Sequence, residues 1–292
     1  MTRIKLQELI DDFSDNSPTN YLGNSGNNTP EELERFDKLK GMRFFDRPVF
    51  SIGRADNPGF AILKQPEVVG EHHLMPHDWL PEARTIISIA SPHTKSVIES
   101  NKKDSVMPSI EWLYSRKEGQ HYLFALSVMV RDALRADGHK AVTPYVDEKY
   151  KMSKFPAPPD PGAEHIPRFS SNWSDRHVGF LTGLGTFGLS TNFISKIGSA
   201  VRLNSVITDW EIEPDEHDYD DWLGYCNRCG VCRRICPSQA LFMDDRCGKD
   251  FDICWPHTKK VCEPFKISLA CGKCQSNGPC GTQSMKKKAT TI

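Results

Sequence analysis

The chain has 292 residues, room for two domains or for one large domain with an appendage. Lys+Arg (37) and Asp+Glu (38) nearly cancel to a formal charge of −1, so no polyanionic partner is indicated and nucleic-acid binding is not expected. No run of about 18 apolar residues occurs, which argues against a helical membrane span. A hydrophobic share of 38% with 20 Pro and 20 Gly describes a loop-rich globular protein.

Residues 1–40 read as an N-terminal arm. Ile4, Leu6, Leu9, Ile10 and Phe13 form a short helical stripe, followed by a Ser/Asn/Gly/Pro-rich link from Ser14 to Asn28. Thr29-Pro30-Glu31-Glu32 then starts a helix, with a capping hydroxyl, a proline in the first turn and acids at the positive end. Such an arm packs on its own domain or on a partner chain. Met1-Thr-Arg-Ile-Lys offers no apolar core for a secretion signal, and a cytoplasmic location is expected.

Residues 41–214 alternate between strand and helix patterns and predict an α/β domain. Pro48 to Ile52 and the β-branched run Thr85 to Ala90 are strands. Tyr122, Leu123, Leu126, Met129, Val130, Ala133 and Leu134 recur at helical spacing, with Gly138 as the stop. Ala141 to Val146 is extended, Lys151 to Pro167 is a Pro-rich loop, Ser174 opens another helix, and Val201 to Thr208 is the closing strand. Asp147, with Tyr150 and Lys151 nearby, is the candidate proton-delivery residue. Gly183-Leu-Gly185-Thr-Phe-Gly188 matches G-x-G-x-x-G, but a dinucleotide site needs a strand before the glycines and a helix opening on them. Here a helical segment leads in and none follows, which suggests close backbone packing or a loop laid against some other flat cofactor. His72, His73, His77 and His93 lack the pairing of a helical zinc site and read as surface or loop histidines. Lys286-Lys287-Lys288 reads as a solvated tail.

Residues 215–292 carry the chemistry. All ten cysteines lie between Cys226 and Cys280, a distribution unlike a secreted disulfide framework and suited to reduced thiols in an oxygen-poor setting. Cys226-Asn-Arg-Cys229-Gly-Val-Cys232-Arg-Arg-Ile-Cys236-Pro237 reads C-x2-C-x2-C-x3-C-P. Three thiolates two residues apart converge on three corners of one [4Fe–4S] cube, and the fourth Cys serves a second cube. Paired C-x2-C zinc knuckles have neither the third closely spaced Cys nor the proline. By the ferredoxin exchange, Cys280 completes the set of Cys226, Cys229 and Cys232, and Cys236 joins Cys271 and Cys274. Cys247, Cys254 and Cys262 compete for the eighth position.

Ser171 to Ser190, Gly198 to Asp209, Asp78 to Pro92 and the cysteine run together resemble the epoxyqueuosine reductase family, itself similar to the iron–sulfur half of reductive dehalogenases. The likeness covers roughly residues 44–282 and is nearest to a ferredoxin-like branch whose last motif reads C-x2-C-Q-x3-P-C. It implies a nitroreductase-like α/β domain joined to a C-terminal two-cluster [4Fe–4S] ferredoxin domain, with Cys254 as the eighth ligand. It further implies cobalamin between the two parts and a low-potential donor such as ferredoxin or flavodoxin. Gly183, Gly185 and Gly188 would then border the cofactor, and Asp147 would supply the proton. The function implied is reduction of a cofactor or substrate in the α/β domain. The alternative is reductive activation of a partner, such as a corrinoid protein, without a substrate of its own. Leu189-Ser190 stands where the family has Lys-Asn, Val146-Asp147 lacks the following Ser-Ala-Pro, and Cys280 is followed by Gly281, so tRNA is not the expected substrate.

Overall fold

Four strands form the central sheet: β1 (Val49–Arg54), β2 (Thr85–Pro92), β3 (Ala141–Val142) and, after the short hairpin strands β4 (Gly185–Phe187) and β5 (Phe193–Ser195), β6 (Val201–Thr208). In this computed structural model, which describes residues 1–24, 29–153 and 160–286, the sheet order is β1-β2-β6-β3 and every pairing is antiparallel. The β-branched run Thr85 to Ala90 forms the sheet's interior because it is buried on both faces, which suits an unbroken apolar run rather than an alternating one. The pleat sends Ile87 and Ile89 to one face with Phe50, Ile52 and Val206, and Ile86 to the other with Ile207.

The helices, in chain order, are α1 (Arg3–Asn16), α2 (Pro30–Phe36), α3 (Gly59–Leu63), α4 (Pro76–Trp79), α5 (Lys95–Lys102), α6 (Ile110–Lys117), α7 (Gly119–Ala136), α8 (Asp175–Leu181), α9 (Val231–Arg234), α10 (Phe251–Cys262) and α11 (Lys273–Ser276). On the first face of the sheet, α7 buries Tyr122, Leu123, Leu126, Val130 and Leu134. Each such side chain contributes about 1.5–3 kcal/mol by leaving water. Leu6 and Ile10 of α1 join the same core with no exposure at all. The N-terminal stretch thus packs on its own domain. Its helix also runs through Ser14, whose side chain is buried, so the flexible link expected there starts later. On the opposite face Trp79, Trp173, Val178 and Leu181 close over Ile86 and Ile207. Thr29 and Glu32 make the reciprocal capping box that their spacing predicts.

Parts of three expected features, the Ser/Asn/Gly/Pro link, the Pro-rich loop and the lysine tail, fall at 25–28, 154–159 and 287–292, outside the described residues. Two of the histidines expected at the surface are buried instead: His73 has no exposed area and His93 only 2%. His73 stacks on Trp173 and His93 lies between Phe45 and Trp112, and burial holds both rings below their ordinary pKa, His73 at about 3.

Candidate metal centre

The two C-G-x-C segments, Cys229 to Cys232 and Cys271 to Cys274, fold alike. Gly230 (φ 69°) and Gly272 (φ 71°) each take the left-handed conformation and turn the chain into a one-turn helix, α9 or α11. The α9 and α11 turns pack against each other. This repeated turn is what brings thiols from separate places in the chain toward common points.

Cys226, Cys229, Cys232 and Cys280 line one cavity, with Gly188, Asn192 and Ser199 on its other walls. Cys226 follows Tyr225, whose amide donates to Thr186 Oγ1 (2.9 Å) and whose ring is buried beside Ile194 and Tyr219. Cys280 is placed through the amides of Ser199 and Ala200, which donate to Cys280 O (2.7 Å) and Gly281 O (2.9 Å) at the start of β6. Burial pushes the Cys232 thiol up to about 11, aided by Cys280, Cys274 and Cys226.

A second group gathers around Cys274. Burial raises the Cys254 thiol, and the neighbouring charges of Cys274 and Cys236 raise it further. Burial likewise drives Cys271 up to about 12, with Cys274 and Cys254 adding to it. Burial acts on Cys236 too, but Ser238 and the amides of Ser238, Ala240 and Leu241 outweigh it and hold that thiol low. Asn192 Nδ2 donates to Cys274 Sγ (3.3 Å). The loop itself is anchored in the α/β domain: Asn101 Nδ2 donates to Cys271 O (3.3 Å) and Ser276 Oγ (2.9 Å), and the buried Lys273 ammonium donates to the carbonyls of Asn101 and Asp104.

Cys262 belongs to neither group. It is buried with Leu113 and Val261, and its sulfur accepts the Ala270 amide (3.4 Å). Cys247 lies toward Cys226 and Arg233, on the side of the set that already holds four thiols. Cys254, in the first turn of α10, is the one of the three candidates that meets Cys236, Cys271 and Cys274. Among the described residues no three His, Cys, Asp or Glu side chains close on a single ion.

In the glycine loop expected to border a cofactor, Gly185 also meets a local packing requirement. A Cβ on Gly185 would stand 2.3 Å from Ile194 O, so this glycine lets β4 and β5 pair closely. A Cβ on Gly183 (φ 84°) would stand 3.1 Å from the His217 ring. Of the three, Gly188 alone lines the cysteine cavity. Asp147 is half-buried at the end of the turn Pro144–Val146, and its Oδ1 accepts the Lys149 amide (2.9 Å), a local turn bond.

A half-buried acid, Asp175, stands at the start of α8. Ser205 Oγ donates to its Oδ1 (2.7 Å), and Trp173 Nε1 donates to Ser205 Oγ (2.9 Å). Burial outweighs these bonds and raises the carboxyl to about 6. Sequence reading took Ser174-Asp175 for an ordinary helix start. Only the packing of Trp173 and β6, which is tertiary, shields that carboxyl from water. The following Arg176 is also a residue the sequence did not single out.

No protein-family description and no curated protein matches the chain. Solved structures do match, and the class of fold they define is the one shared by epoxyqueuosine reductases and reductive dehalogenases, the likeness that the sequence motifs suggest. An epoxyqueuosine reductase from Bacillus subtilis aligns with a TM-score of 0.50 at 19% identity over 85% of this chain, and another, solved with an epoxyqueuosine-modified tRNA stem loop, at 0.51 and 19% over the same share. A catabolic reductive dehalogenase aligns at 0.52 and 15% over 81%. The chain spans 64% of those reductases and 30% of that dehalogenase, and at these identities the likeness is one of fold.

Proposed function

We propose that the chain is an iron–sulfur reductase in which Cys226, Cys229, Cys232 and Cys280 hold one [4Fe–4S] cluster and Cys236, Cys254, Cys271 and Cys274 a second. Residues 215–292 then form a ferredoxin-like part that receives electrons from a low-potential donor, ferredoxin or flavodoxin. What supports this reading is that Cys226, Cys229, Cys232 and Cys280 line one cavity while Cys254 lies near Cys236, Cys271 and Cys274. Burial, with neighbouring thiols adding to it, keeps several of these thiols protonated as a bare set, whereas bound iron stabilises the thiolates. The clusters, when bound, supply one-electron transfer at potentials tuned by exposure and hydrogen bonding.

The protein's own groups do the rest. Asn192 and Ser199 direct donors toward Cys274 and Cys280, at 3.3 Å and 3.8 Å. Asp175 holds a proton at mildly acidic pH inside the α/β domain, the position in which an acid can deliver it to a reduced acceptor. It stands beside Asp147 as a second candidate for that role. For cobalamin the fit is poor at the glycine loop, where Gly183 and Gly185 meet their own chain, and no step is drawn through that cofactor.

Anaerobic purification followed by iron, sulfide and absorbance measurements tests the reading. About eight iron per chain with matching acid-labile sulfide is expected from two cubes. One zinc and no sulfide overturns it. Corrinoid bands in the same spectrum would restore the cobalamin reading.

A further inference from the structure

The tip of the β4–β5 hairpin stands between the two cysteine sets. Gly188, Leu189, Ser190 and Asn192 line the cavity of Cys226, Cys229, Cys232 and Cys280, while Asn192 Nδ2 donates to Cys274 Sγ of the second set (3.3 Å). One residue thus borders both. The tip is held by its own turn: the Gly188 amide donates to Asn192 O (2.9 Å), the Thr191 amide to Gly188 O (2.8 Å), and the Asn192 amide to Ser190 Oγ (3.4 Å). Thr191 takes a left-handed conformation (φ 56°) to close it. From the other side, the Gly248 amide donates to Leu189 O (2.8 Å), which ties the tip to the cysteine region. With its main-chain groups engaged and only 8% of its surface exposed, Asn192 has a fixed amide.

The two sets differ in what surrounds their sulfurs. Cys229 of the first set is exposed, so water reaches that site. Ser199 Oγ stands 3.8 Å from Cys280 Sγ, but it also donates to Gln275 O at 2.8 Å. A hydroxyl has one hydrogen, and the shorter bond claims it. The second set has no exposed thiol, and its loop is moored to the α/β domain through Asn101 and Lys273. Electrons therefore enter most directly at the first set and leave from the second. Exposure favours the reduced, more negative cluster, which holds an electron at the entry point unless a donor favours it at the exit as well. An amide N–H directed at a thiolate does that, because it stabilises the added negative charge.

We propose that Asn192 is a positioning residue for electron transfer: set between the two cysteine sets, it raises the potential of the second cluster through its bond to Cys274. The low-potential donor supplies one electron. That electron passes from the first cluster, which is oxidised again, to the second, which is reduced, with no bond made or broken and no proton moved. The inference rests on the two-cluster reading and gives the electron path its direction.

Redox titration of anaerobic, full-length protein followed by electron paramagnetic resonance tests it, with iron and sulfide measured on the same samples. The second cluster's signal is the one depleted in Cys254→Ser. Asn192→Leu removes the amide at similar size, and Asn192→Asp keeps the shape but replaces the N–H donor with an oxygen. In each, the second cluster should become about tenfold harder to reduce, a downward shift of about 59 mV for one electron, with the first unmoved. Asn192→Gln, which retains an amide, should recover part of the shift. A second cluster that titrates as in wild type in both the Leu and Asp variants overturns the proposal. So does loss of iron from both without a shift in what remains, which marks a structural residue. Wild-type protein without about eight iron and matching sulfide removes the two-cluster reading and this inference with it. A full complement of iron with unmoved potentials removes the inference alone.

Discussion

Asp175→Asn isolates the energetic cost of keeping an acid in the α/β domain. The folded chain releases the Asp175 proton near pH 6 and the unfolded chain near 3.8. Between those values the native state binds more protons than the unfolded one, so stability falls as pH rises through the window and stays lowered above it. At about 1.36 kcal/mol for each factor of ten in acidity, the ionised carboxylate costs the fold on the order of 2–3 kcal/mol above pH 6, and about half of that is already present at pH 5. Asparagine keeps an oxygen to accept from Ser205 but has no proton to lose. Asp175→Asn is therefore expected to exceed wild type by about 2–3 kcal/mol at pH 7.5, and by about half as much at pH 5. Urea unfolding followed by tryptophan fluorescence at pH 5, 6 and 7.5 measures the difference. A gap that does not change with pH, or a variant weaker than wild type at pH 7.5, refutes the reasoning, because Asp175 would then be an ion stabilised by its neighbours.

The other predictions concern cysteines and glycines. Cys254→Ser should lose or convert one cluster, seen as a drop from about eight iron per chain toward four, whereas Cys247→Ser and Cys262→Ser should retain full iron. Iron loss in Cys247→Ser with a silent Cys254→Ser would exchange their roles. Gly185→Val should lower the melting temperature sharply, at a cost of roughly 3 kcal/mol or more from overpacking, since its Cβ would meet Ile194 O at 2.3 Å. A variant that melts like wild type and loses only cofactor would return the glycine loop to a binding role. Gly272→Ala should deplete the second cluster before the first, because a Cβ there would lie 2.3 Å from the Trp112 indole. Electron paramagnetic resonance of the reduced protein distinguishes loss of one cluster from loss of both.

What the sequence reveals of this protein depends on how local each signal is. The strands at Thr85 and Val201 and the long helix ending before Gly138 are legible because β-branched runs and 3.6-residue periodicity are properties of short stretches. The cysteine spacing is legible for the same reason. The hairpin of β4 and β5 is not, since three-residue strands carry too little pattern, and its glycines imitate a nucleotide loop. Asp175 is invisible in sequence for a deeper reason. A carboxylate at a helix start looks ordinary until distant elements pack against it. His73 and His93, expected outside, are likewise buried by aromatic partners far along the chain, Trp173 and Phe45.

The way the second cysteine loop is moored has a consequence for protein engineering. Its turn rests against the Trp112 ring, its buried lysine is tied to the end of α5, and Gln275 Nε2 donates to the carbonyls of Ser199 (2.8 Å), just before β6, and Val201 (3.0 Å), its first residue. The C-terminal cysteine region is thus not a cartridge that can be unplugged and run alone as a small electron carrier. Expressed by itself, it would lack the surface that shapes one of its two turns. Transplanted onto a foreign scaffold, it would need α5, the Trp112 helix and the first residues of β6 to travel with it.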